Sequence, residues 1–213
     1  LAEGSDLDIL VVYDPFDVQP EDAKLDASEY FARFTQRLIA GLSAPTEEGT
    51  LYEVDMNLRP SGRAGPVAVR LSAAKAYYEK DAWTWELMAL TRLRFAAGDG
   101  LGEEMTAMAR HVLEQTRDGA KLAHDAADMR ARVARDKGDD GAWDLKLAPG
   151  AIMDLEFIAQ FLTLQTAAKG GVHGNTSDAL IALGKAGALR EDEAGALARA
   201  SQMLLSLTYV LRL

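Results

Sequence analysis

Two aspartates one residue apart, Asp6-Leu7-Asp8, open a β-branched, apolar run that continues through Ile9, Leu10, Val11, Val12 and Tyr13 and stops at Asp14-Pro15. Side chains alternate along a strand, so both acids share one face. A bare pair of like charges on a sheet costs free energy, whereas bound divalent cations reverse that cost. A second run, 51–58, alternates more cleanly: Tyr52, Val54, Met56 and Leu58 face one way, and Glu53, Asp55 and Asn57 the other. Asp55 can thus supply a third carboxylate. Three such groups on adjacent strands suit Mg2+, which takes oxygen ligands in octahedral geometry and keeps waters and substrate phosphates. Two ions could orient an attacking hydroxyl and stabilise the entering and leaving oxygens. The plain alternative is that Asp6 and Asp8 are strand-end residues facing water, since Asp-x-Asp alone is common. Glu53 reads as a solvated strand residue.

Arg59-Pro60-Ser61-Gly62-Arg63 follows the third acid directly. Its two arginines could hold a triphosphate, with Ser61 and the Gly62 amide adding hydrogen bonds. Equally, the segment reads as a tight turn carrying solvated arginines. Lys146 admits a phosphate contact or a plain surface role. Trp83 and Trp85 could stack on a base, although core packing against the sheet is the simpler reading, and Glu86 reads as a helix-surface residue. Asp154 falls in the first turns of a helix, where unpaired N–H groups favour acids. The three histidines are scattered, without the spacing of a zinc site. No hydrolase elbow or Walker-type glycine loop is present.

These residues need elements to position them. A sheet is expected in the first third: strands at 6–13 and 51–58, a helix over 28–42 between them, and a further strand at 66–70 beside the second. Ser72 is expected to cap a long helix over 73–95. Glycines at 98, 100 and 102 interrupt the helical pattern, which resumes over 103–117 and 119–135, and 137–141 forms a loop. A short strand is expected at 143–147, then helices from Ile152, from Asn175 or Ser177, and from Glu191. The division expected is 1–71 for the sheet core, 72–142 for a helical segment completing a nucleotide cleft, and 143–213 for a short strand and helical bundle.

The bulk numbers bound the function. Apolar residues make up 48% of 213, enough for a substantial core, which excludes global disorder. A formal net charge of -10 argues against general nucleic-acid binding, which wants a cationic face. With no cysteine, disulfides, thiolate metal sites and cysteine nucleophiles are all excluded. The absence of a signal segment or long apolar span favours the cytoplasm and no membrane partner. Leu1 does not look like a native start, so the chain reads as a fragment.

The segments Gly4-Ser5-Asp6-Leu7-Asp8-Ile9-Leu10 and 51–62, with Ala82-Trp83-Thr84-Trp85-Glu86, Ala89-Leu90-Thr91-Arg92, Asp144-Leu145-Lys146 and 154–160, resemble the glutamine synthetase adenylyltransferases, bifunctional members of the polymerase-β-type nucleotidyltransferases. These motifs stand in the family's order and cover most of the chain. The resemblance implies an α+β fold: a partial polymerase-β-type mixed sheet followed by a helical bundle. It makes Asp6, Asp8 and Asp55 the metal-binding acids, with Mg2+ as cofactor in two copies and ATP as substrate. Ser5, Arg59, Ser61 and Lys146 become candidates for nucleotide or phosphate contacts.

One half of such enzymes attaches AMP to a tyrosine of glutamine synthetase, and the other removes it by phosphorolysis. The tyrosine-glutamate opening of the second motif, its Pro-Ser-Gly ending and the Trp-Thr-Trp-Glu run resemble the attaching, C-terminal half. Glutamine and a PII-type signalling protein are the implied regulators. Two alternatives stay open besides the removing half: a nucleotidyltransferase for another acceptor, and a non-catalytic binding module. The sequence departs from the family at Asn57, where arginine is usual, and at Ala151, where a second glycine is usual. The family's phosphate-cradling glycine turn would lie upstream of Gly4-Ser5, which puts nucleotide binding by this chain alone in doubt.

Overall fold

The computed structural model describes residues 7–15, 25–47, 49–50, 52–98, 100–138, 141 and 143–211. The chain divides into two compact units, Leu1–Ala82 with Ala97–Met105, and Trp83–Ala96 with Thr106–Leu213. In chain order the first contains β1 (Leu7–Asp8), β2 (Val11–Tyr13), α1 (Ala27–Leu42), β3 (Pro45–Thr46), β4 (Gly49–Thr50), β5 (Val54–Asp55), a single 3-10 turn (Gly62–Ala64), β6 (Ala68–Arg70) and α2 (Leu71–Lys80).

The apolar run after the first acids is two paired stretches rather than one strand. β1 pairs in parallel with β5, and β2 pairs in parallel with β6. The chain switches partners at Ile9 and Leu10. The strand expected over 51–58 pairs only at Val54–Asp55, because the backbone turns directly afterwards: Arg59 N–H donates to Met56 O (3.3 Å) and Gly62 N–H to Arg59 O (2.8 Å). The 68–70 strand exists, but beside β2 instead of beside the second acidic strand. β3 and β4 form an antiparallel hairpin, so the strand region is mixed.

Apolar burial explains this arrangement. Tyr13, Ala68, Val69, Leu71, Ala74 and Tyr78 are buried, joining β2, β6 and α2 in one core. Helix α1 adds Phe31, whose ring stacks on Tyr13 with centroids 4.6 Å apart. Asp26 caps α1, its carboxylate accepting from Glu29 N–H at 2.9 Å.

The second unit contains α3 (Thr84–Leu90), most of α4 (Leu101–Leu113), α5 (Gly119–Lys137), α6 (Ile152–Gln165), α7 (Thr176–Lys185) and α8 (Glu191–Leu211). A small mixed strand region followed by a helical bundle is the α+β class expected. The single helix expected over 73–95 is two, and Ser72 lies inside α2 rather than capping it. Asp81 and Ala82 both donate to Tyr77 O, ending α2, and Trp83 is extended. Glu86 then accepts from Trp83 N–H at 2.8 Å and starts α3.

That role buries Glu86 to 2% exposure, which corrects the surface assignment, while Trp83 stands 69% exposed and is no core residue. The strand expected at 143–147 is a turn, because Asp144 Oδ1 accepts from both Lys146 N–H (2.9 Å) and Leu147 N–H (2.8 Å). Helices α6, α7 and α8 begin where expected, with Asn175 capping α7.

Leu155, Leu164, Leu180 and Leu183 are buried, and Ala159, Ala179, Leu180 and Ala198 form one apolar cluster joining α6, α7 and α8. Helices α7 and α8 approach closely at Gly184, where an added Cβ would lie 2.6 Å from the Ala194 methyl. Ala151 precedes α6 with φ -81°, a conformation open to any residue, so glycine is not required there. No helix among the described residues is long and apolar enough to cross a membrane.

Candidate metal and nucleotide site

Asp8 and Asp55 are direct register partners on β1 and β5. Leu7 N–H donates to Glu53 O (2.7 Å) and Ile9 N–H to Asp55 O (2.9 Å), so the backbone on either side of Asp8 is locked to the backbone carrying Asp55. Partners in register project to the same face of the pleat, with strands about 4.8 Å apart. The β-branched and apolar neighbours Leu7, Ile9 and Val54 form the strands, and the two acids occupy the alternate positions. Asp8 is exposed and Asp55 half-buried.

Asp55 is oriented by the loop that follows it. Its Oδ1 accepts from Asn57 N–H (2.6 Å) and its Oδ2 from Asn57 Nδ2 (2.9 Å). Asn57 Oδ1 in turn accepts from Arg63 Nε at 3.1 Å. A carboxylate offers about four lone-pair sites, so two remain for other partners. Two oxygen-donor groups side by side, one held in a fixed orientation, fit a hard divalent cation. Among the described residues no three His, Cys, Asp or Glu side chains converge. Asp6 and Ser5, the other acid and its neighbour, lie outside the described residues.

Arg59 is buried, and its guanidinium is spent on the loop's own backbone. Nη1 donates to Met56 O (2.6 Å), Nε to Gly65 O (3.2 Å) and Nη2 to Arg63 O (3.4 Å). The carbonyls gathered around it define the loop from β5 to β6. Gly65 is part of this closure, since a Cβ there would lie 2.1 Å from Pro60 O. Ser61 is exposed with φ 65°, presenting its hydroxyl at the outer tip of the same loop. Lys146 is exposed and belongs to the second unit, in the Asp144 turn; its carbonyl accepts from Met153 N–H (3.1 Å) at the start of α6.

Asp8, Asp55, Arg59 and Ser61 thus stand on β1, β5 and the loop that follows β5. The contribution of Asn57 was missed from sequence, where it counted only as a departure from a family pattern. Asp-x-Asn is a known turn signal, and it could have been read as one. In the second unit Asp154 pairs with Arg130 and accepts from Gly150 N–H (2.6 Å). It therefore anchors α5 to the start of α6, a larger role than favouring a helix end.

Comparisons with known proteins bear on both parts of the chain. The family model described as "Glutamate-ammonia ligase adenylyltransferase" matches residues 1–108, and that of "GlnD PII-uridylyltransferase" matches residues 123–213. A "Bifunctional glutamine synthetase adenylyltransferase/adenylyl-removing enzyme" of Rhodopseudomonas palustris (strain TIE-1) is 46% identical over 219 residues, covering 100% of this chain and 22% of that protein. The protein of the same description from Agrobacterium fabrum is 50% identical over 191 residues, covering 86% of this chain and 19% of its own length. That of Rhizobium meliloti is 45% identical over 223 residues, again 100% and 22%. The chain spans about a fifth of the length of these relatives.

Proposed function

The chain belongs to the glutamate-ammonia ligase adenylyltransferase family, and from that premise we propose that it is the transferring core of an enzyme that moves AMP from ATP to a tyrosine of glutamine synthetase. The observation that carries this reading is the register pairing of Asp8 with Asp55. It sets two hard oxygen donors side by side, as a divalent cation shared with substrate phosphates requires.

Asp8 and Asp55, with Asp6, hold Mg2+ in this reading. An ion held by these acids would supply charge stabilisation at the α-phosphate of ATP and would ease deprotonation of the incoming hydroxyl. Asp55 also takes up the proton of the tyrosine hydroxyl. The tyrosine oxygen forms the new bond to the α-phosphorus, the bond to the β-phosphate oxygen breaks, and pyrophosphate leaves. Ser5 and Ser61 donate to phosphate oxygens in this reading. Arg59 contributes by holding the loop that presents Ser61, and a direct phosphate contact requires it to release a backbone carbonyl. The same reading takes glutamine and a PII-type protein as regulators, and the cytoplasm as the place of work.

Mass spectrometry of unmodified glutamine synthetase incubated with the full-length polypeptide, ATP and Mg2+ tests this. An AMP-sized increase on one tyrosine, absent with Asp8→Ala, is the expected result. No increase from a folded protein supplied with glutamine would overturn it. The relatives' description names an adenylyl-removing activity as well. Phosphate-dependent release of ADP from modified glutamine synthetase, without the forward reaction, would therefore assign this chain to the removing half.

A further inference from the structure

Two arginines bracket the turn that follows β5, and the fold occupies one while leaving the other open. Arg59 is buried, with Nε, Nη1 and Nη2 donating to the carbonyls of Gly65, Met56 and Arg63. The Gly62 N–H, a second donor that a phosphate could have met in this turn, is engaged by Arg59 O at 2.8 Å. Arg63 is exposed, and its Nε donates to Asn57 Oδ1 at 3.1 Å. Among the described residues its two Nη groups meet no acceptor, and no carboxylate pairs with it.

The one side-chain contact of Arg63 also sets its place. Asn57 bonds both oxygens of Asp55, its N–H to Oδ1 (2.6 Å) and its Nδ2 to Oδ2 (2.9 Å). The Arg63 guanidinium therefore lies one side-chain amide away from Asp55. Its main chain is held as well, since Arg63 O accepts from Arg59 Nη2 at 3.4 Å. Fixing an exposed arginine costs rotamer freedom, and a fork fixed before the ligand arrives binds it more tightly. With Nε engaged, the paired Nη groups still offer two parallel N–H donors, a geometry that matches phosphate oxygens. Charge acts in the same direction: Asp8 and Asp55 repel a phosphate chain, so a cation fixed beside them favours its binding.

We infer, resting on the metal and nucleotide reading proposed above, that Arg63 is the arginine that grips the phosphate chain of ATP, while Arg59 shapes the turn that carries it. Nε of Arg63 stays on Asn57, and Nη1 and Nη2 take phosphate oxygens. Asn57 then links the two functions, orienting a carboxylate on one side and a phosphate-binding guanidinium on the other.

The test measures binding by the full-length polypeptide, with Mn2+ and ATP as probes and no acceptor protein present. Mn2+ affinity is read by electron paramagnetic resonance and ATP affinity by equilibrium dialysis. Only the ATP binding that Asp8→Asn abolishes is counted, which sets aside nucleotide held elsewhere in the polypeptide. In Arg63→Gln the amide nitrogen stands where Nε was and can still donate to Asn57, so the variant removes the paired Nη groups and the charge alone. It should weaken ATP by about tenfold while leaving Mn2+ affinity within about twofold of the parent. Arg63→Lys, which keeps the charge, should lose less, and Arg37→Gln, an exposed arginine on α1, should change neither. ATP affinity unchanged in Arg63→Gln overturns the role. So does a loss of Mn2+ affinity as large as that of ATP, which would make Arg63 a support for Asp55 alone. A parent that binds no Mn2+, or whose ATP binding survives Asp8→Asn in full, overturns instead the metal-dependent reading beneath it.

Discussion

Asp8 and Asp55, 47 positions apart in sequence, face each other across one parallel strand pair, with the Asp55 carbonyl bonded to Ile9 N–H at 2.9 Å. The backbone contact fixes their spacing whether or not a cation is present. Removing either carboxylate should therefore change chemistry far more than folding. Asp8→Asn and Asp55→Asn are each expected to lower AMP transfer on the order of 100-fold or more, with unchanged circular dichroism and weakened Mn2+ binding by electron paramagnetic resonance. Full Mn2+ affinity in both variants would remove the metal role.

Asn57 holds both oxygens of Asp55, and Arg63 holds Asn57. Groups that orient a metal ligand typically matter by 10–100-fold. Asn57→Ala should lower Mn2+ affinity about 10-fold, and Arg63→Ala by less, because the Asn57 backbone N–H still reaches Asp55 Oδ1. Equal losses for the two variants would mean that the side-chain relay is not what positions Asp55.

Arg59 is a buried cation surrounded by the carbonyls of Met56, Arg63 and Gly65. Arg59→Met leaves these acceptors short of donors and should destabilise the chain by about 2–3 kcal/mol in urea unfolding. Arg59→Lys recovers only part of this, since an ammonium lacks the planar fork. A stability equal to the parent's in Arg59→Met, with a raised KM for ATP, would show that the side chain serves nucleotide instead of the loop.

Gly65→Ala places a methyl 2.1 Å from Pro60 O. The obstacle is backbone, so the loop must move. Destabilisation of about 1–3 kcal/mol is expected, together with reduced transfer activity because the Asn57–Arg63 contact moves with the loop.

Asp125 is held below the ordinary aspartate range, first by the Thr84 hydroxyl and then by Lys121. A depressed carboxylate contributes stability that is present above its unfolded pKa of about 3.9 and is lost as pH falls through the lower folded value. Thr84→Val should accordingly cost stability at pH 7, and the gap from the parent should narrow below about pH 4 in urea titrations. A gap constant from pH 7 to pH 3 would assign the loss to packing alone.

The sequence by itself determined which residue types line the acidic strands and where several helices begin. Alternation placed Asp55 and Asn57 opposite Val54 and Met56, and Asn175 and the Pro149-Gly150 pair marked the starts of α7 and α6. Those signals are local: side-chain period and capping chemistry act within a few residues. Tertiary structure decided everything that depends on partners distant in sequence. Strand pairing put Asp8 against Asp55 and moved 68–70 beside β2, because burial of Tyr13, Ala68 and Val69 outweighs sequence proximity. It turned Arg59 inward to three carbonyls, split the expected helix at Trp83, and left the Gln160 amide without a hydrogen-bond partner among the described residues. A lone arginine or glutamine carries no periodic signal, so only the packed chain determines which groups it meets.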